Sequence, residues 1–366
     1  MPERARVLIV DDSRTFRAGL EAALTGEEGV AVAGSVFNGE RALEFIRATP
    51  PDLVTLDVDM PGMDGLQILQ AIQQFNRGRP ASAEVGVLML SAFTRRGAEI
   101  TVRALQAGAF DFVTKPSGTS PEDSIAQLKR EVVPRVRLFM ARRHQQDSKR
   151  LSFGMPVAQL PSATGEQRRK RNIQAVLIGC STGGPKALAA LLPEIAAGPD
   201  APIIVAQHMP AEFTKSLAES LSRQCRIPVV EAIDGMAIES RTTYIAPGGK
   251  HLVLRRDSLG LLRAGTNEQP PESGCRPSAS VLFRSAAAVL GGNAVAIVLT
   301  GMGNDGAAGL GPFKRAGGYV IAQDEATSVV WGMPGSAVTA GVVDEVLSLT
   351  SIAAAVRALS APGGAS

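Results

Sequence analysis

Histidine and cysteine are scarce in this sequence, three of each among 366 residues. That shortage narrows the chemistry at once. Cys180, Cys225 and Cys275 have no metal-ligand spacing and read as free thiols in a reducing compartment. No apolar run approaches the roughly 20 residues of a membrane span. Charge of one sign is not in excess: 38 basic residues face 35 acidic ones, a formal +3. That balance argues against a dominating nucleic-acid surface. The N-terminus, MPERARVLIVDDS, runs straight into a strand-like segment without signal-peptide anatomy. Short-period repeats and long low-complexity tracts are missing as well. The expectation is a soluble cytoplasmic protein with no nucleic-acid partner.

What is present suits two domains. From residue 5 to about 125, β-branched runs (6-RVLIV-10, 30-VAVAGSV-36, 53-LVTL-56, 85-VGVLML-90, 110-FDFVT-114) alternate with helical patterns (14–26, 39–48, 95–108). This spacing predicts βαβ units on one parallel, doubly wound sheet. The pattern stops at about 141, and residues 141–171 are polar, basic and Pro/Ser-containing, a linker signature. A second series follows with runs at 173–179, 202–207, 243–247, 252–256, 294–300 and 318–323, with helices at 185–198 and 306–318. The predicted division is residues 1–125, a helix end and basic flexible linker over 126–171, and a larger α/β domain with a mainly parallel sheet over 172–360.

Ligands of an open parallel sheet sit outside the carboxyl ends of its strands. In the first half those positions hold Asp11 and Asp12 after VLIV, Asp57 after LVTL, Ser91 after VLML and Lys115 after FDFVT. Asp and Ser favour loop starts for local reasons, but these four with Lys115, all at strand ends, form a pattern. Converging carboxylates call for a hard cation, and Mg²⁺ suits a few carboxylates plus water and a phosphoryl group. Asp57 is then a candidate carboxylate nucleophile of the aspartyl-phosphate kind. Lys115 would neutralise the added charge, and the Ser91 hydroxyl would hydrogen-bond it. The run VLIVDDS…LVTLDVDMPGMDGL…VLMLSAFT…GAFDFVTKP resembles a response-regulator receiver domain over roughly residues 1–125. The resemblance implies a flavodoxin-like fold of five parallel strands. It also implies Asp57 as phosphoacceptor, Asp11 and Asp12 as Mg²⁺ ligands, Ser91 and Lys115 as switch residues with Phe112 as the switch aromatic, and a histidine kinase as phosphodonor.

In the second half, 178-IGCSTGGPKAL-188 sets one serine among glycines after an apolar run. A phosphate loop would need lysine and a hydroxyl straight after Gly184, where the chain has Pro185, Lys186 and Ala187. Pro185 instead suits the first turn of a helix. Residues 179–183 satisfy G-x-S-x-G, the turn that presents a nucleophilic serine, yet small residues belong to any tight turn. A hydrolase needs a base and an acid besides. Of the histidines, His144 lies in the basic linker and His251 opens the strand HLVL. His208, after PIIVAQ, emerges on the same edge as Ser181 and is the best base by position. Asp305 in 300-TGMGNDG-306 and Asp324 after GYVIAQ both qualify as the acid. The same GMGNDG fits G-x-G-x-x-G with Asp324 about 20 residues on, by letter a dinucleotide fingerprint. It comes late in its domain, however, and Asp305 would repel a pyrophosphate.

The segments IGCSTGGPKAL, 205-VAQHMP-210, 245-IAPGGKHL-252, 276-RPSASVLFRSAA-287, 299-LTGMGNDGAAGL-310 and 321-IAQDEATSVVWGMPG-335 closely resemble the chemotaxis protein-glutamate methylesterase (CheB-type) family. With the receiver in front, the likeness covers nearly the whole chain in order. It implies Ser181 as nucleophile, His208 as general base and then acid, Asp305 as orienting carboxylate, and oxyanion or pocket roles for Thr182 and Met302. Asp324 is left a pocket or packing role, and Cys180 is read as packing. The implied substrates are γ-glutamyl methyl esters and glutamines of chemoreceptors, so that a membrane is met only indirectly through receptors, with no cofactor for hydrolysis. Two domains on a joint suggest that the unphosphorylated receiver covers the Ser181 edge and that phospho-Asp57 loosens it. The competing reading is a non-enzymatic response regulator whose C-terminal half binds a partner or a nucleotide.

Overall fold

The computed structural model describes residues 4–116, 118, 120–151 (side chains to 144), 170–198 and 200–360. The chain divides into two compact units after Pro156. The first is a run of βα units: β1 (Ala5–Val10), α1 (Arg14–Leu24), β2 (Val30–Val36), α2 (Gly39–Ala48), β3 (Leu53–Asp57), α3 (Gly65–Asn76), β4 (Gly86–Ser91), α4 (Arg95–Ala107), β5 (Asp111–Thr114) and α5 (Pro121–Leu151). All pairings are parallel, in the order β2-β1-β3-β4-β5, so the flavodoxin-like expectation is met. Short polar residues start the helices. Ser13, Asn38, Asp64 and Thr94 cap α1 to α4 through side-chain oxygens that accept a backbone N–H, and Asp64 with Gln67 forms a capping box.

The main departure is α5, which runs through residues 141–151, where the sequence showed no period. Its apolar stripe ends with Phe139, after Leu128, Val132, Val133 and Val136. The helix needs no stripe beyond that point, because Arg, Gln, Lys and Leu are good helix formers. Arg143 also anchors this stretch, donating to Ser82 O and pairing with Asp52. Of the predicted linker, residues 152–169 lie outside the described residues.

The second unit contains β6 (Ala175–Cys180), α6 (Gly184–Ala196), β7 (Ile203–Gln207), α7 (Ala211–Ser222), β8 (Val229–Glu231), β9 (Thr243–Ile245), β10 (His251–Arg256), β11 (Leu262–Asn267), α8 (Ala279–Leu290), β12 (Ala294–Val298), α9 (Ala307–Arg315), β13 (Tyr319–Gln323), α10 (Gly332–Thr339), β14 (Glu345–Leu347) and α11 (Leu349–Leu359). Seven parallel strands make one sheet in the order β14-β13-β12-β6-β7-β9-β8. The central β6 and β12, AVLIGC and AVAIV, are buried at every residue, as strands covered on both faces must be. The run at 252–256 belongs elsewhere: β10 pairs with β11 as a separate antiparallel hairpin, tied to α8 by Leu254 N–H donating to Ser285 Oγ at 3.0 Å. Strands β8 and β14 escape the sequence pattern because three residues show no period.

From β6 the chain winds outward through β7 to β8 and β9, then returns to lay β12 on the other side of β6. The connections leaving the carboxyl ends of β6 and β12 therefore diverge, which opens a crevice at that point of the sheet.

Candidate active site

Ser181 is the first residue beyond β6. Its N–H donates to Thr300 O at 3.0 Å, and Gly184 N–H closes the turn on Ser181 O at 2.7 Å. Gly183 takes φ +81°, a left-handed conformation that favours glycine. Pro185 then sits in the first turn of α6. Ser181 Oγ makes no hydrogen bond among the described residues and is half-buried. The loop after β12 lies directly against it: a methyl group at Gly301 would come within 2.8 Å of Ser181 Cβ. Thr300 Oγ1 donates to Thr182 O at 3.0 Å, which joins the two turns.

His208 follows β7, and its N–H donates to Cys180 O at 3.0 Å, beside Ser181. Its Nε2 lies 2.7 Å from Asp305 Oδ2. Asp305 is buried, and it accepts from Ser278 Oγ (2.8 Å), Ala279 N–H (2.6 Å), Ser280 N–H (3.1 Å) and Gly306 N–H (2.8 Å). Ser278 is the N-cap of α8, so the carboxylate also meets the positive end of a helix. Burial disfavours the Asp305 anion, but His208, Ser278 and Ser280 outweigh it and hold the group well below the usual carboxylate range. Burial likewise disfavours a charged His208. The Asp305 hydrogen bond prevails, with help from the Cys275 thiol, and the imidazole pKa rises to about 9.

The other candidates fall away from this cluster. Asp324 Oδ1 accepts from Thr327 N–H and Oγ1, at 2.9 and 2.5 Å, within its own turn. His251 is buried at the start of the hairpin with Nε2 3.1 Å from Pro270 O. His144 lies in α5 of the other unit. The GMGNDG loop turns its carboxylate toward His208 and α8, and the acid a ribose would need is engaged by Thr327. Met302 is 46 % exposed, and its backbone N–H has no hydrogen-bond partner among the described residues. Thr182 is buried in the turn that holds Ser181.

Sequence reasoning overlooked Ser278 and Ser280 as partners of Asp305, and Cys275 as a neighbour of His208. A helix-start signal was available for the first, a serine directly before the apolar run ASVLF. No local signal places Cys275.

In the first unit, Asp11, Asp12 and Asp57 bring carboxylate oxygens within 4.8 Å of one another. Lys115 Nζ bridges Asp11 Oδ2 at 2.6 Å and Asp57 Oδ2 at 2.7 Å, with its ammonium 4.6 Å from the Phe16 ring centroid. Asp57 is nearly buried. Burial first, and then the Asp11 charge, push its pKa up to about 6 against the pull of Lys115. Ser91 Oγ donates to Ala92 O at 3.3 Å, and Phe112 is a buried residue of β5. The cluster could hold a metal ion: three carboxylates face one ammonium, and an all-oxygen set of this kind fits Mg²⁺.

An acidic cluster thus lies at the strand ends of a flavodoxin-like unit, and Ser181, His208 and Asp305 follow strands of the α/β unit behind it. Residues 176–356 match the CheB methylesterase family, and residues 7–127 match the response regulator receiver domain family. A protein-glutamate methylesterase/protein-glutamine glutaminase of Trichodesmium erythraeum is 41 % identical, over 95 % of this chain and 97 % of its own. One of Geobacillus kaustophilus is 43 % identical, over 96 % and 97 %. The catalytic domain of the Thermotoga maritima CheB methylesterase aligns with a TM-score of 0.50 at 38 % identity, over 51 % of this chain and 98 % of that one. The chain belongs to the CheB methylesterase family, in the form that carries a receiver domain.

Proposed function

We propose that this chain is a phosphorylation-activated serine esterase that hydrolyses glutamate γ-methyl esters on chemoreceptors, releasing methanol, and deamidates receptor glutamines. The observation that carries this reading is the 2.7 Å pair of His208 and Asp305 beside the Ser181 turn. With Nε2 held by Asp305, the nitrogen left to accept the Ser181 proton is Nδ1. Ser181 Oγ attacks the ester carbonyl. Backbone N–H groups of the Thr182 and Met302 turns stabilise the oxyanion, a term worth about 2.7–4 kcal/mol per donor in such sites. The imidazolium returns its proton to the departing methoxide, which leaves as methanol, or to the departing amide nitrogen of glutamine, which leaves as ammonia. Water deprotonated by His208 then cleaves the acyl-enzyme and leaves glutamate.

Asp57 accepts the phosphoryl group from a chemotaxis histidine kinase. Asp11, Asp12 and Asp57 would hold Mg²⁺, which when bound neutralises phosphoryl charge. Lys115 is already paired to the acceptor, and Ser91 and Phe112 are the switch positions. The free thiols of Cys180, Cys225 and Cys275 suit the cytoplasm. No helix among the described residues is long and apolar enough to cross a membrane, so receptors would be met from outside the bilayer.

Methanol release from methylated receptor membranes tests the reading, with wild type and Ser181→Ala, each with and without a phosphodonor. Loss of release in the variant is expected. Equal release from both would leave a binding module as the better account.

A further inference from the structure

The two strands that flank β6 and β12 end in the same way. Strand β7 reads IIVAQ and β13 reads YVIAQ, and both terminal glutamines are buried, Gln207 at 2 % and Gln323 at 0 % exposure. Each reaches sideways to the chain leaving the neighbouring central strand. Gln323 Oε1 accepts from Thr300 N–H at 2.8 Å, and its Nε2 donates to Thr327 O at 2.8 Å. Gln207 Nε2 donates to Ser181 O at 3.0 Å and to His208 O at 3.1 Å. Its Oε1 accepts from the Cys180 thiol at 3.1 Å.

We infer that Gln207 is a positioning residue of the esterase, fixing the separation of the nucleophile turn from the base turn. The inference rests on the serine-esterase reading above. A buried amide has two N–H donors, and here both go to main-chain carbonyls, one on each residue assigned to proton transfer. Those carbonyls lie beyond the ends of β6 and β7, where the parallel ladder no longer spaces the strands. The orientation of the amide is determined by its partners. Two carbonyls can only accept, so Nε2 must face them. Burial keeps the Cys180 thiol protonated, so it serves as donor to Oε1. The space is built for this group: a methyl group at Gly184 would come within 2.0 Å of Gln207 Oε1. In the sequence this singles out Cys180, Gly184 and Gln207 as one unit around Ser181 and His208.

The test uses the full chain, methylated receptor membranes and a phosphodonor, with kcat, KM and the pH profile measured separately. Gln207→Met keeps the volume and removes both donors. Expected is a fall in kcat of about 10–10³-fold, as misplacement by an ångström costs in such sites, with KM within threefold. The pH limb should stay where it is in wild type, because the His208–Asp305 pair is untouched. A folded variant with wild-type kcat overturns the proposal, as does a variant that changes KM alone. If Gln207→Met does not fold, Cys180→Ala and Cys180→Ser decide. A several-fold lower kcat in the first, restored by the hydroxyl donor of the second, supports the role, and equal rates in both overturn it. Ser181→Ala run alongside separates the failures. If it remains as active as wild type, the esterase reading itself is lost; if it is dead while Gln207→Met is fully active, only the positioning role is lost.

Discussion

In the proposed reading His208 and Asp305 divide the work at the residue scale, and their electrostatics make the pH dependence predictable. The free base must be neutral to take the Ser181 proton. A pKa lifted to about 9 therefore means that kcat/KM rises with pH and levels only above that value. Asp305→Asn removes the stabilising anion, so the limb should fall toward about 6.5, the ordinary imidazole value. The plateau should drop by about 10⁴-fold, as for the same change in other triads. A pH–rate profile of both proteins checks the two effects together. A limb that does not move would show that Asp305 does not control the imidazole. Ser181→Ala should leave no more than about 10³–10⁴-fold acceleration over water.

At the scale of elements, the start of α8 holds the acid in place. Ser278 caps the helix through Val281 N–H and also donates to Asp305. Ser278→Ala should cost about 0.5–2 kcal/mol of stability, read as a lower denaturant midpoint. Three N–H donors still hold the carboxylate, from Ala279, Ser280 and Gly306. Activity should therefore fall far less than in Asp305→Asn. Gly301→Ala tests the opposite fault, crowding. The added methyl meets Ser181 Cβ at 2.8 Å, and overpacking of this sort costs about 1–3 kcal/mol. Both kcat and the thermal midpoint should drop. Such elements were partly legible in the sequence. Caps such as Asn38 and Thr94 mark helix starts by local chemistry, and the β-branched runs mark the long strands. The three-residue strands β8 and β14 carry too little period to be seen. The polar end of α5 carries none, because its residues, ARRHQQDSKR, set no apolar side chains at helical spacing.

At the scale of the whole molecule, two units with separate sheets share one chain, and the first is the regulator of the second in the proposed reading. If the receiver restrains the esterase, a chain beginning after Leu151, where α5 ends, should show a higher basal rate of methanol release than the full protein. An unchanged or lower rate would remove restraint as the mechanism. Asp57→Asn in the full chain should abolish stimulation by a phosphodonor, measured by the same assay. Stimulation that persists would place the phosphoacceptor elsewhere.

The sequence by itself determined the two βα series, the residues delivered to strand ends, and hence Asp11, Asp12, Asp57, Lys115, Ser181 and His208 as candidates. These follow from periodicity, a property of neighbours along the chain. The tertiary structure decided which carboxylate pairs with His208, which imidazole nitrogen faces it, and how Gln207 joins two turns. Asp305 and Asp324 both follow strands, and spacing cannot choose between them. The choice depends on β12, and not β13, lying against β6, across a separation of 97 residues between His208 and Asp305. Contacts of that range are set by the order in which strands pack into the sheet, and no local pattern records that order.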